Sequence, residues 1–268
     1  MSRQPLIVLL TDFGTEDTFV GVMKGVIASI CPHAGVIDLT HAVRAQDRVE
    51  AAFHLDSSLT YFPDGTIFVC VVDPGVGTKR RPVAVEAGPF LFVAPDNGLL
   101  TPVFERWPDA RCRVLDDTRY HLPSPSSTFH GRDIFSPVAA HLAAGVAFDS
   151  LGTFADPASC SRIERFANRP IEKQEGWVGR VVSIDRFGNV VTSFSTATIE
   201  SLPAWCVSAG GASHLPISTT YGDVPVGKPL AYVGSSGMIE IAVRNGNASR
   251  ELGIDRETPV YLIPTKRG

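Results

Sequence analysis

Two stretches near the start of the chain, LIVLL at 6–10 and TIFVCVV at 66–72, are apolar at successive rather than alternate positions. Strands buried on both faces have that pattern, and GVIDLT at 35–40 is a shorter relative. Between the first two, Phe19, Val22, Met23, Val26, Ile27 and Ile30 recur every three or four residues, which predicts an amphipathic helix with Asp17 as its N-cap and Pro32 as its stop. Residues 48–60 behave similarly. RDIFSPVAAHLAAG at 132–145 predicts another helix closed by Gly145, with Pro137 either kinking it or sitting in its first turn behind Ser136 as N-cap. Alternating strands and helices predict an α/β layer with a Rossmann-like sheet.

The texture changes after about residue 160. CSRIERFANRPIEKQEG has no sustained period and carries Pro and Gly, as a linker does. Beyond it, WVGRVVSID (177–185), NVVTSF (189–194), LAYVG (230–234), MIEIAVR (238–244) and PVYLI (259–263) are short strand candidates split by Gly, Asn, Ser and Pro. They predict a small barrel or sandwich. The expected organisation is an α/β domain over 1–165, a linker over 166–176 and a smaller all-β domain over 177–268. There is no internal repeat and no low-complexity tract.

Composition narrows the function. With 268 residues, 44% of them hydrophobic, the chain can form a substantial core unaided, and a formal charge of −4 gives no general attraction for nucleic acid or anionic membranes. Five scattered cysteines without a C-x-x-C pair predict neither a disulfide framework nor a structural zinc site. The apolar run before Thr11 is too short for a signal sequence or a membrane span, so a cytoplasmic setting is expected and the sequon at Asn247 is expected to be unused.

Polar residues that interrupt the apolar elements are the candidates for chemistry. Asp12 ends the first strand, where open α/β sheets place their ligand crevice, and it either accepts two ribose hydroxyls or caps the next turn. Asp17 is first a helix cap and second a partner for a ligand cation. Asp73, in VVDPGVGTKRRP, sits at the end of another strand in a favourable turn sequence, so it either shapes that turn or holds something reactive. His130 lies beside Gly131 at the start of a helix, where backbone N–H groups receive ligands. Asp185, Phe187 and Asn189 form either a plain hairpin or a set able to hold an ammonium, stack on a base and bond an adenine edge. Ser235, Ser236 and Glu240 read equally as hairpin chemistry or as ligand contacts.

These segments, with DLTH, APDNGLLT, STFHGRDIFSPVAAHLAAG, IDRFGNVVTSF and GSSGMIEIAVRNGNAS, resemble the S-adenosyl-L-methionine hydrolase (hydroxide adenosyltransferase) family, related to fluorinase and chlorinase. The resemblance runs in order over residues 9–249. It implies an N-terminal α/β domain, a C-terminal β-barrel and a homotrimer whose active sites form where one subunit's N-domain meets its neighbour's C-domain. It further implies a water-holding triad of Asp73, Arg80 and His130, the choice of Arg80 over Arg81 resting on spacing. Asp12 would take the ribose, Asn189 the adenine with Phe187 nearby, and Asp17, Asp185 and Ser235 the methionine end. Glu240 and the Val243 backbone would lie near the base. The related halogenases carry Tyr at the position of Asp73, and an Arg where this chain has Ser236, which leaves the carboxylate contact open.

Such an enzyme would use S-adenosyl-L-methionine as substrate and need no cofactor or metal, releasing adenosine and L-methionine by displacement at C5′. The sulfonium leaves as a neutral thioether, so the catalytic demand falls on water, a poor nucleophile with a pKa of about 15.7. A halide-using adenosyltransferase is the nearest alternative. A metal-dependent phosphoesterase using Asp12, Asp38, His41, Asp73 and His130 is another, and a nucleoside-binding sensor without turnover is a third.

Overall fold

The computed structural model describes residues 4–164, 169–170, 176–199 and 205–265, and the chain separates into two compact units, Met1–Ile163 and Glu164–Gly268. Much of the expected linker at 166–176 lies outside the described residues.

The first unit is built on a seven-stranded sheet of β1 (Leu6–Thr11), β2 (Gly35–Thr40), β3 (Ile67–Val71), β4 (Pro82–Ala87), β5 (Phe90–Pro95), β6 (Arg111–Val114) and β7 (Phe154–Ala155), in the order β2-β1-β3-β5-β4-β6-β7. The pairs β2–β1, β1–β3 and β3–β5 are parallel, whereas β5–β4, β4–β6 and β6–β7 are antiparallel, so the sheet is mixed. Its helices are α1 (Phe19–Ile30), α2 (Arg48–Ser58), α3 (Thr101–Arg106) and α4 (Ser136–Ala143).

The successive apolar residues have the burial their pattern predicts. Val8, Leu10, Phe68 and Cys70 pack with Ala51 and Leu55 of α2, while Ile7, Leu9, Ile67 and Val69 pack on the other face with Met23 and Ile27 of α1 and Val138 of α4. Each strand therefore serves two core layers at once. Because β2 and β3 flank β1 and their preceding helices lie on opposite faces, the chain reverses its direction of winding at β1. Parallel sheets open a crevice at the carboxyl ends of such strands. The register pairs Thr11 with Val71, which brings the residues following both strands to one edge.

Two local expectations are corrected. The N-cap of α1 is Thr18, without a side-chain cap bond, and Asp17 is exposed in the preceding loop. The helix expected over 132–145 forms, and of the two readings of Pro137 only the Ser136 cap fails: a π-helical turn, Gly131–Phe135, runs directly into α4, and Ser136 caps nothing. The Ser136 hydroxyl instead donates to the Gly131 carbonyl at 2.7 Å. Pro137 has no N–H for the Asp133 carbonyl, which accepts from Leu122 N at 2.9 Å. Proline thus widens the turn that carries His130 at its head, without ending the helix.

In the second unit, β9 (Trp177–Ile184), β10 (Val190–Ser195), β11 (Trp205–Ala209), β12 (Ala212–Ser218), β13 (Pro229–Val233), β14 (Met238–Val243) and β15 (Pro259–Pro264) follow a two-residue strand β8 (Arg169–Pro170). The order β10-β14-β13-β12-β11-β15-β9 closes on itself through β9–β10 pairing, giving a seven-stranded barrel with β8 outside it. Val181, Phe194, Val207, Ile239, Ile241 and Leu262 are among its interior residues. Closure removes the sheet edges that a sandwich would leave exposed. Among the described residues of this unit are also two short α-helices, α5 (Thr196–Ile199) and α6 (Ala248–Glu251). No described helix is long and apolar enough to cross a membrane, and all five cysteines are buried and free.

Candidate active site

Asp73 follows β3 and does two things. Its backbone carbonyl closes the Asp-Pro-Gly turn on Val76 N at 3.2 Å, while its carboxylate is turned to Arg80. Arg80 Nε donates to Oδ1 at 3.1 Å and Oδ2 at 2.9 Å, and its Nη2 donates to Oδ2 as well. The pair is nearly sealed, with side-chain exposures of 8% and 5%, and the guanidinium lies 5.3 Å from the centre of the Phe135 ring. A buried pair held by parallel N–H bonds keeps a fixed geometry, which a flexible surface pair does not. Gly77 is required in the intervening loop, because its φ is +76° and a Cβ there would sit 2.7 Å from the Ser127 carbonyl oxygen.

Arg80 Nη2 also lies 2.7 Å from His130 Nδ1. A guanidinium only donates, so Nδ1 is the acceptor and a neutral ring carries its hydrogen on Nε2. Burial lowers the pKa of His130, and the neighbouring Arg80 charge lowers it further. The neutral ring is therefore the working form at neutral pH. Arg81 has a separate role, since it pairs with Asp96 at 2.6 Å and donates to the Ser159 carbonyl at 2.9 Å.

A histidine NMR titration is expected to give His130 a midpoint below about 6.5, moving up in Arg80→Gln, where the depressing effect of the Arg80 charge is gone. The unfolded chain binds this proton more readily than the folded one. The stability held by the neutral ring is therefore complete above about pH 6.5 and lost as pH falls through the folded-state pKa. A midpoint at or above the free-histidine value would contradict the Arg80 contact.

Asp73 and His130 line a cavity of about 400 Å³ together with Asp12, Gln46, Phe19 and Phe129. Phe13, Phe19 and Phe129 form a cluster with ring centres 5.2 to 5.8 Å apart, so the cavity has an aromatic side opposite in character to its carboxylates. Asp12 does not cap the turn that follows it: Thr11 Oγ1 accepts Phe13 N at 3.2 Å, while Asp12 Oδ2 accepts Gln46 N at 2.8 Å. Gln46 holds a left-handed φ of +67°, uncommon for a non-glycine residue and not signalled by residue type. Asp17 is not among the lining residues.

In the barrel unit, Asp185 organises the turn between β9 and β10. Its carboxylate accepts the N–H groups of Phe187 and Asn189, both at 2.8 Å, and the Asn189 side-chain amide, also at 2.8 Å. Gly188 has φ +85°, and a Cβ there would overlap Asn247, so this turn and the cap of α6 fit together only with glycine. Phe187 stands 73% exposed. Asn189 Nδ2 also approaches Tyr221 Oη at 3.3 Å, Tyr221 Oη lies 2.5 Å from Tyr232 Oη, and Tyr232 donates to Glu240 Oε2. Both amide hydrogens of Asn189 are thereby committed, which leaves Oδ1 to accept from elsewhere. Burial raises the pKa of Glu240. Neither tyrosine stood out in the sequence, because each is a lone aromatic in a short segment.

Ser235 is exposed in the β13–β14 turn, and the buried Oγ of Ser236 has no partner among the described residues. The Val243 carbonyl accepts Gly246 N at 3.0 Å. Among the described residues, no three His, Cys, Asp or Glu side chains converge as metal ligands do. Asp38 and His41, imagined as part of such a set, face Lys24 and Thr11 instead.

Residues 7–152 match the SAM hydroxide adenosyltransferase N-terminal domain, and residues 179–261 match the corresponding C-terminal domain. The chain belongs to this family. It is 40% identical to the (R)-S-adenosyl-L-methionine hydrolase of Thermus thermophilus, covering 96% of this chain and 99% of that one. A crystal structure of an uncharacterized conserved protein from Thermotoga maritima superimposes with a TM-score of 0.85 at 35% identity, over 96% of this chain and 99% of its own. The fluorinase of Nocardia brasiliensis is a more distant relative, 28% identical over 90% of each chain.

Proposed function

We propose that this protein hydrolyses S-adenosyl-L-methionine to adenosine and L-methionine. The observation that carries the reading is the Asp73–Arg80–His130 chain at the edge of a cavity that also holds Asp12. In this reading a water oxygen attacks C5′, the C5′–S bond breaks, and its electron pair neutralises the sulfonium. Methionine leaves as a thioether and requires no acid. The remaining tasks are to orient the water and to receive its proton. Asp73 supplies the anionic acceptor on the cavity wall, Arg80 fixes that carboxylate and favours hydroxide character, and the Nε2 hydrogen of His130 holds the oxygen in line. Positioned acid–base groups of this kind contribute about 10²–10⁴-fold.

Asp12 takes the ribose hydroxyls, and Asn189 Oδ1 accepts the adenine amine, with Phe187 as an exposed apolar surface beside it. Asp17, Asp185 and Ser235 remain candidates for the amino-acid end, although the Asp185 carboxylate already accepts three hydrogen bonds. Ser236, Glu240 and the Val243 backbone are placed near the substrate by resemblance alone. Because the water-holding set and the base-binding set lie in separate units, we propose that each site in a homotrimer combines one chain's first unit with its neighbour's barrel. A cytoplasmic setting, which keeps buried thiols reduced, belongs to the same reading.

The deciding experiment incubates the purified protein with S-adenosyl-L-methionine, with and without high chloride, and identifies the nucleoside by mass. Adenosine in both is expected. A chlorinated nucleoside would assign the protein to halide transfer, and no product at all would leave a binding protein. The L descriptor fixes the carbon centre, so the (R) in the relatives' name denotes sulfur. We extend that preference here, and faster release of adenosine from the (S) epimer would refute it.

A further inference from the structure

The groups that hold Asp12 in place come from one segment, the end of β2 and the loop after it. Thr11, fully buried at the end of β1, has its Oγ1 2.8 Å from His41 Nδ1. The other ring nitrogen of His41 lies 2.9 Å from Asp38 Oδ1, and Lys24 Nζ donates to Asp38 Oδ2 at 2.6 Å. The His41 ring is only 3% exposed. Its backbone carbonyl also accepts Gly14 N at 2.8 Å, so the turn 11–14 is tied to His41 at both ends, with Asp12 between the two ties. Five residues further on, Gln46 N secures Asp12 Oδ2.

Donors and acceptors fix the direction of the chain. Thr11 Oγ1 already accepts from Phe13 N at 3.2 Å, so its own hydrogen is available for His41 Nδ1. The ring then carries hydrogen on Nε2, which lies beside the Asp38 carboxylate without the alignment of a hydrogen bond. The opposite tautomer would set a lone pair against that carboxylate. Burial disfavours ionised Asp38, but the Lys24 hydrogen bond and the neighbouring His41 outweigh it and hold its carboxyl below the usual range. The chain runs from a sealed end at Thr11 and His41 to an open end, where Lys24 and Asp38 are 39% and 40% exposed, and Nε2 of His41 meets the Asp38 carboxylate by proximity without a hydrogen bond.

We infer that Lys24, Asp38, His41 and Thr11 form a positioning chain that holds the Asp12 carboxylate where it can distinguish a ribose from a 2′-deoxyribose. None of the four is placed against substrate. They act through Asp12, and the inference rests on the proposal that Asp12 takes the ribose hydroxyls. Metal-bound carboxylates and histidines are oriented by outer partners in the same way, and loss of such partners typically costs about 10–100-fold.

The test compares kcat/KM for S-adenosyl-L-methionine and its 2′-deoxy analogue in wild type and variants. Thr11→Val keeps the shape and deletes the hydroxyl, and His41→Phe removes both ring contacts. Both are expected to lower the ribose preference by about tenfold, mainly through a raised KM for the ribose substrate. Thr11→Ser, which restores the hydroxyl, should recover most of the preference. Asp38→Asn alters a partly exposed side chain away from the buried core, so it tests the chain if the buried variants fail to fold, with an expected loss of about threefold. Asp12→Ala separates the two ideas. If Asp12→Ala keeps the wild-type preference, the ribose assignment itself falls, and the inference with it. If Asp12→Ala abolishes the preference while folded Thr11→Val and Asp38→Asn keep it, the assignment stands and the positioning chain is overturned. Equal losses in Thr11→Ser and Thr11→Val would also overturn it, since packing rather than the hydroxyl would then be responsible.

Discussion

Replacing Asp73 by Asn is expected to lower turnover about a hundredfold while substrate binding, measured by calorimetry, changes by less than about threefold. The reason goes beyond lost charge. Arg80 directs Nε and Nη2 at the two carboxylate oxygens, so an amide must present its own N–H groups to one of these donors. Arg80 is then displaced, and its bond to His130 Nδ1 is disturbed with it. One substitution removes the proton acceptor and loosens the other two members. Because Asn retains the turn-forming backbone, the folded state should survive, which a thermal melt checks. Wild-type turnover in a folded variant would reduce Asp73 to a turn former.

What the sequence disclosed, and what it hid, follows from the range of the interactions involved. The β1 and β3 runs were legible because a strand covered on both faces has no polar position to confuse the pattern. Strands β11 and β12 escaped notice. The first is WCVSA, too short and mixed to stand out, and the second carries Pro216 and a His214 at φ +52° inside ASHLPIS. Their place is set by barrel closure, a long-range constraint that no local window contains. Asp17 looked like a cap because Asp commonly is one, yet the helix begins one residue later than that role requires. Around Pro137 a kink was one of the two readings, but the wider π-helical turn that it takes is not written in residue type.

The site shows the same division. Asp73 and His130 stood out by position and Arg80 joined them through resemblance, and their contacts explain why Arg80 and not Arg81 belongs with them: the neighbouring guanidinium is committed to Asp96 and Ser159. Gln46, Tyr221 and Tyr232 were not singled out. Each matters through a contact to a residue more than ten positions away, or, for Tyr232, through a chain of such contacts, and residue type alone says nothing about it. Asp185 shows the limit from the other side. Both readings offered for it were chemically sound, and its carboxylate is largely used in building the hairpin that presents Asn189.

Mixing two inactive proteins, one Asp73→Asn and the other Asn189→Ala, is expected to restore activity after dissociation and reassembly. The first variant has a defective water-holding set and an intact barrel, and the second has the reverse. If each site joins one chain's first unit to its neighbour's barrel in a closed ring, random assembly of equal amounts makes about one quarter of the sites fully intact. Recovered turnover should therefore approach one quarter of the wild-type value, measured as adenosine released per chain, and should depend on the mixing ratio with a maximum at equal amounts. Each variant taken through the same dissociation alone should stay inactive, which excludes refolding as the cause. If the two sets instead meet within a single chain, every site in the mixture keeps one defect. No ratio would then restore activity, and the shared-site trimer would have to be abandoned while the hydrolytic assignment of Asp73 stood.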